Sequence, residues 1–406
     1  MKVPLLDLHR ETLALAGELT GAFTRVLNSG RFILGPEVEE FERNLAALTG
    51  AKHAIGVSSG TDALLLALMA LGIGPGDEVI CPSFTFFATA GCVARAGATP
   101  VFADCCPVCF NLDVKDAESR ITPRTRAIIP VHLFGQAAAM DQILELARQH
   151  DLAVIEDAAQ AIGAGYRGRG AGSMGDFGTF SFYPSKNLGG LGESGLLITN
   201  QDELASTARL LRSHGENPKY FHPRVGANFR MDPLQAALLG VKLPHLAAYT
   251  RRRQENAAHY TNELGKIPGV CATPAGSRCI PHASTSRSCQ PSRAGIILPV
   301  AYQHNLHIWN QYTLRVVAGE KWNRSEHPRD ALRKFLAGRE IGAEIYYPRP
   351  MHLQECFAVA GRVPEPLPVS ERLAAECVSI PIFPDLTREQ QDFVIAAIAD
   401  FLTAAA

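Results

Sequence analysis

The sequence lacks a charge excess of either sign: among 406 residues, 39 lysines and arginines face 40 aspartates and glutamates, a formal net charge of −1. With no basic surplus to neutralise phosphates, nucleic acid is not expected as the main partner. A membrane-length apolar run is also missing, since the most apolar stretch, ALLLALMALGIG from Ala63, is too short to span a bilayer. At the N-terminus, MKVPLLDLHRE puts Asp7 and Glu11 where a signal peptide needs its apolar core. A cytoplasmic protein with no membrane partner is expected. Cysteine is sparse for this length, ten in all, which favours reduced thiols over a disulfide framework. The C-x-x-C of Cys106 and Cys109 has no second pair to complete a zinc site, and Pro107 with the following FNLD reads as a loop, not the helix start of a redox motif. Cys279, His282 and Cys289 are spaced too irregularly for zinc, so no metal is expected. No Walker glycine pattern precedes a lysine. The G-x-G-x-x-G in GAGYRG, from Gly163, runs into more glycines instead of a helix, so it fails as a dinucleotide fingerprint.

What is present fits an ordinary globular chain, 47% hydrophobic and 19% charged, long enough for two domains. In its first half, apolar strand patterns (HAIGVSS, EVICPS, TPVFAD, RAIIPVHLFG, LAVIEDAA) alternate with helical ones such as GPEVEEFERNLAALTG and AMDQILELARQHD. This rhythm predicts an α/β fold, a mostly parallel sheet flanked by helices, with ligands bound beyond the carboxyl ends of the strands. After GTFSFY and GLLITN comes a long charged helix, HLAAYTRRRQENAAHYTNELG. It reads as a bridge from a large domain, residues 1–245, into a smaller α+β C-terminal domain, residues 246–406. That second part holds the strand pattern HIWNQYTLRV, three helical patterns, and an irregular loop over residues 276–295.

Three strand ends gather candidate functional residues. In VSSGTDALLL a strand runs through Gly60 and Thr61 into a helix, offering free N–H groups, a helix dipole and a hydroxyl to a phosphate; a plain N-cap is the alternative. In VIEDAAQAIG, Asp157 closes an apolar strand and needs a cationic partner there, whether a protonated ring nitrogen, an arginine or a metal ion. A helix-capping role is the alternative, and Gln160 follows as a hydrogen-bond donor. In FSFYPSKNLGG, Lys186 has no charged neighbour between Phe180 and Gly190. An amine in such apolar surroundings loses its proton readily, which suits Schiff-base chemistry, and Ser181 could donate to a phosphate. One ligand would unite the three sites: pyridoxal 5'-phosphate, with phosphate, ring nitrogen and aldehyde groups. CPSFTFFAT supplies Phe84, Phe86 and Phe87 as aromatics for its ring face, or for core packing.

SSGTDAL, GDEVICPSFTFFAT, GATPVFAD, AIIPVHLFG, VIEDAAQAIGA, FSFYPSKNLG and GANFRMDPLQAALL, in that order, resemble the DegT/DnrJ/StrS family of nucleotide-sugar aminotransferases. NQYTLRV, EIYYPRPMHLQ and ECVSIPIFPDLT extend the likeness over nearly the whole chain. The resemblance implies a fold-type-I enzyme in which Lys186 carries pyridoxal phosphate as a Schiff base and Asp157 pairs with the ring nitrogen. It further implies Gln160 at the ring hydroxyl, Phe86 on the ring face, and Gly60, Thr61 and Ser181 on the phosphate. Asn228, in GANFRMD, would reach the partner subunit's site in a homodimer, and Arg230 is a candidate for substrate anions. The implied reaction moves an amino group, with L-glutamate as donor, to a keto group of a nucleotide-linked hexose. A sugar dehydratase or other pyridoxal-phosphate enzyme, or a non-catalytic regulator, are the rivals. Two departures stand out: DCCPVCFNLD is cysteine-rich where relatives are acidic, and Gly276 to Gly295 matches nothing expected of the family.

Overall fold

The computed structural model describes residues 1–272, 294–323, 325–360 and 366–404. The irregular loop predicted over 276–295, with Cys279, His282 and Cys289, lies outside the described residues except for its last two. The five strand patterns of the first half become β1 (His53–Val57), β2 (Glu78–Pro82), β3 (Thr99–Ala103), β4 (Thr125–Ile128) and β5 (Ala153–Asp157). A small hairpin follows, β6 (Gly165–Tyr166) and β7 (Arg169–Gly170), and then β8 (Phe177–Ser181) and β9 (Gly195–Thr199). The GAGYRG decoy is that hairpin.

The large sheet has seven strands in the order β1-β9-β8-β5-β4-β2-β3. Only β9 runs against its neighbours; β2 to β5 and β8 are parallel. Its strands are mostly apolar because both faces are covered. Val79 and Cys81 join the core beneath the Gly60–Ala70 helix, whereas Ile80 between them packs with the Met140–His150 helix on the opposite face. The Pro36–Thr49 helix begins with proline and ends at Gly50, whose φ of 72° is left-handed.

A smaller C-terminal sheet domain is built on β10 (Val270–Cys271), β11 (Ala294–Ile297), β13 (Tyr312–Ala318) and β14 (Cys377–Ile380); β12 (Asn305–Leu306) pairs with the β6 edge instead. The helices Leu246–Leu264, Pro328–Ala337 and Arg388–Ala404 enclose its core, which centres on Tyr260, Tyr312, Leu332 and Ile398. One expected strand is shorter than its pattern. HIWNQYTLRV pairs only from Tyr312, because Trp309 takes a φ of 51° and its amide donates to His307 Nδ1 at 3.0 Å. Cys271 is disulfide-bonded, which corrects the reading of all ten cysteines as reduced thiols. Cys105, Cys106 and Cys109 are buried and stand outside any disulfide.

Candidate active site

Strand register brings the catalytic candidates together. β5 and β8 lie side by side with Asp157 opposite Thr179, so both strands end at the same sheet edge. Beyond Ser181 the chain turns tightly, the Lys186 amide donating to the Tyr183 carbonyl at 2.8 Å and the Gly190 amide to that of Phe182 at 2.8 Å. The glycine pair after the lysine is now explained, since a Cβ on Gly189 would collide with the Pro184 carbonyl.

A cavity of about 690 Å³ opens at this edge. Gly60, Thr61, Phe86, Asp157, Gln160, Ser181 and Lys186 all line it, seven of the nine residues singled out in the sequence. Gln311, Glu344, Tyr346 and Tyr347 close it from the C-terminal part. Asn228 and Arg230 lie elsewhere. Asn228 is exposed and paired with Ser213 through the backbone; Arg230 bridges Val57 and keeps a buried Nε without a hydrogen-bond partner.

Lys186 makes no side-chain hydrogen bond or ion pair to the described residues. Although the residue as a whole is half-buried, its amine is deep enough that loss of solvent lowers its pKa to about 8, against a smaller opposing pull from Asp157. Burial raises the Asp157 pKa above the ordinary range, offset in part by hydrogen bonds from Thr89 and the Ala159 amide and by the charges of Lys186 and His132. Thr89 Oγ1 donates to Asp157 Oδ2 at 2.8 Å, and Ala159 N to Oδ1 at 3.2 Å. Gln160 accepts from Phe134 N at 2.7 Å and donates to the Tyr347 hydroxyl at 3.0 Å. Of the three phenylalanines, Phe84 is core, Phe87 stacks on Phe357 with centroids 5.6 Å apart, and Phe86 faces the cavity.

The Gly60–Ala70 helix points its N-terminus at the same space. Ser59 caps it by accepting from Asp62 N at 3.0 Å, while the first-turn amides of Gly60 and Thr61 have no acceptor within the helix. Gly60 also sits hard against Ser181: an added Cβ would lie 2.7 Å from Ser181 Cβ. Two free amides and two hydroxyls in so tight a cradle are a donor set for an anion. Thr89 and Tyr347 escaped sequence reasoning. The only signal for Tyr347 was its place in EIYYPRPMHLQ, which names a motif without showing what it touches.

The profile of the DegT/DnrJ/EryC1/StrS aminotransferase family matches residues 14–399. The chain belongs to this family. It is 44% identical over 401 residues to a protein of Geobacillus stearothermophilus named pleiotropic regulatory protein, with 99% of both chains covered. It is 42% identical over 388 residues to the UDP-N-acetyl-3-dehydro-alpha-D-glucosamine 3-aminotransferase of Acidithiobacillus ferrooxidans, covering 96% of this chain and 95% of that one. The solved structure of DesV from S. venezuelae, in complex with a ketimine intermediate, superposes with a TM-score of 0.87 at 42% identity, covering 98% of each chain. The chain is a pyridoxal-phosphate-dependent aminotransferase.

The cavity fits that cofactor on its own evidence: a deep unpaired amine, a buried carboxylate and an anion cradle share one space. Two expectations follow. Attachment of added pyridoxal phosphate to the cofactor-free chain should quicken with rising pH and level off above about 8, because only the uncharged Lys186 amine attacks an aldehyde. An ordinary lysine would keep gaining up to roughly pH 10, and stopped-flow absorbance separates the two. Gly60→Ala should weaken cofactor binding about 10-fold or more, as expected for roughly 1.4 kcal/mol of lost phosphate contact. Equilibrium dialysis reads this directly, and unchanged affinity would move the phosphate cradle elsewhere.

Proposed function

We propose that the chain transfers an amino group from L-glutamate to a keto group of a nucleotide-linked hexose, giving an amino sugar for glycan or secondary-metabolite biosynthesis. The observation that carries this reading is the joint placement of Lys186 and Asp157 on one cavity roomy enough for a sugar beside the cofactor. Lys186 would hold the cofactor's aldehyde, Asp157 its ring nitrogen, and Gly60, Thr61 and Ser181 its phosphate; Phe86 and Gln160 would flank the ring. When bound, pyridoxal phosphate supplies an electron sink for the carbanion formed at the reacting carbon. Lys186 Nζ takes the proton from the donor's α-carbon and later delivers one to the sugar carbon, and a pKa near 8 lets it do both. Asp157 would offer its negative charge to the ring nitrogen, and Thr89 fixes the direction of that carboxylate.

The name of the Geobacillus relative belongs to that protein. A regulator has no use for a deprotonatable lysine opposite a buried carboxylate, and both are in place here. Incubation with L-glutamate and a nucleotide-linked keto hexose tests the reading, a 3-keto sugar first because the Acidithiobacillus relative is named for one. One 2-oxoglutarate per amino sugar is the expected yield. Loss of water from the sugar without 2-oxoglutarate would point to a dehydratase, and no reaction with 3-keto or 4-keto sugars would sink the proposal.

The exposed Asn228, which does not line its own cavity, supports a homodimer in which it serves the partner's site. Mixing inactive Lys186→Ala with weakened Asn228→Ala chains should then restore about a quarter of wild-type activity after subunit exchange, since half the dimers hold one intact site in a two-fold assembly. No recovery would place Asn228 outside the shared site.

A further inference from the structure

Two polar latches tie the C-terminal part to the carboxyl edge of the large sheet. The first starts at Ser83, directly after β2. Its Oγ lies 2.6 Å from His352 Nδ1, and His352 Nε2 lies 3.3 Å from Glu371 Oε1. The Met351 amide donates to the Ser83 carbonyl at 2.7 Å. The second starts at Asp104, directly after β3. Its carboxylate accepts from the Val369 and Ser370 amides at 3.0 and 2.7 Å, and from the Ser370 hydroxyl at 2.7 Å. Those amides open the Pro368–Glu376 helix, whose own N-cap residue, Leu367, has no side-chain oxygen to offer. Asp104 is thus a helix cap delivered from the other sheet. Glu371 joins the two latches, because the oxygen that meets His352 also accepts from Leu367 N at 3.1 Å.

A serine–histidine–glutamate chain suggests a nucleophile, but Ser83 is fully buried and does not line the cavity. It cannot meet a substrate. What the chain does hold is the segment from Glu344 to Leu353, whose residues Glu344, Ile345, Tyr346 and Tyr347 form one wall of the cavity. Its far end is fixed by paired backbone bonds between Glu344 and Ser379 on β14, the Ser379 amide donating at 2.8 Å. Its near end depends on Ser83. Tyr347 also receives the Gln160 side-chain amide at 3.0 Å, a further bond between the wall and the large domain.

We propose that Ser83, His352, Glu371 and Asp104 are positioning residues that hold the 344–353 wall against the sheet edge for binding of the keto substrate, separately from cofactor attachment. The proposal rests on the cavity being the aminotransferase site. Ser83→Ala removes the side-chain bond of the first latch and Asp104→Ala the carboxylate of the second, while His352→Asn keeps an acceptor near the Nδ1 position. Hydrogen exchange is followed by mass spectrometry on the full chain without substrate, alongside kinetics with the sugar. In Ser83→Ala and Asp104→Ala, peptides covering 344–353 should exchange about 10-fold faster or more while those of β5 and β8 stay unchanged, as expected for local opening. KM for the keto sugar should rise about 10-fold, one lost hydrogen bond's worth. The turnover number should stay within roughly 3-fold and the glutamate half-reaction should be unaltered, the pattern of a lost binding contact. His352→Asn should fall between these variants and wild type. Unchanged exchange over 344–353, acceleration across the whole chain, or a fall in kcat at constant KM would each overturn the latch. Because exchange is read without turnover, it decides the latch even if no keto sugar is aminated, an outcome that would sink only the substrate reading.

Discussion

Lys186→Ala is expected to lower amino transfer by at least about 10⁴-fold, the upper range for losing a positioned proton carrier, with loss of covalent attachment added. Lys186 is the one cationic side chain among the described residues lining the cavity, so no neighbouring amine among them stands ready to take its place. Its role depends on losing a proton as much as on carrying one. The control is therefore Lys186→Arg, which keeps a positive charge on a guanidinium that does not deprotonate. Both variants should be equally inactive, and both should lose the glutamate-responsive visible absorption of the reconstituted protein. Folding should not suffer, because the amine has no hydrogen-bond partner to lose and burial already disfavours its charge. Circular dichroism melts of the cofactor-free chains check that point. Turnover within 10-fold of wild type in either variant would remove Lys186 from the chemistry.

Much of this site was legible because it is made of strand ends, and strand ends are local. A run such as LAVIED shows where its strand stops, and a parallel sheet then places that stop at the ligand edge. Lys186 was legible for a related reason, as a lone charge in an apolar stretch before a glycine turn. Contacts between distant segments were not legible. Nothing near Thr89 announces that it bonds Asp157, because that bond depends on the Ala88–Arg95 helix packing over the sheet edge. The sequence offered three phenylalanines in CPSFTFFAT, and only the packing shows that Phe84 turns inward and Phe86 toward the cavity. HIWNQYTLRV carried a strand pattern throughout, yet with the left-handed backbone at Trp309 it joins the C-terminal sheet only from Tyr312. Tertiary context overrode propensity there. The Ser83–His352 contact joins residues 269 apart, which no local pattern reports.

Asp157→Asn should separate the two readings of that residue by moving activity and stability in opposite directions. No helix follows Asp157, so the structural role left to the carboxylate is to hold Thr89 and the Ala159 amide, and weakening those charge-assisted bonds would cost about 1 kcal/mol. As the partner of a ring nitrogen it is poorly placed until the cofactor arrives: fully buried and held by two hydrogen bonds, with its pKa raised by burial. A raised carboxylate pKa means that the folded chain grips the proton more tightly than the unfolded one. The penalty is therefore absent below about pH 4, the unfolded value, and grows as pH rises through the folded value. Asparagine carries no such charge, can still accept from Ala159 N, and can offer its amide to Thr89 Oγ1. The cofactor-free variant should consequently melt about 2 °C or more above wild type at neutral pH, with the gap closing in acid. Activity should fall about 10³-fold, because a neutral amide leaves the ring nitrogen without a counter-charge. A lower melting temperature at neutral pH would return Asp157 to a structural role, and retained activity would detach it from the cofactor. A gain in stability together with a loss of turnover is the signature of a carboxylate kept for chemistry at the fold's expense.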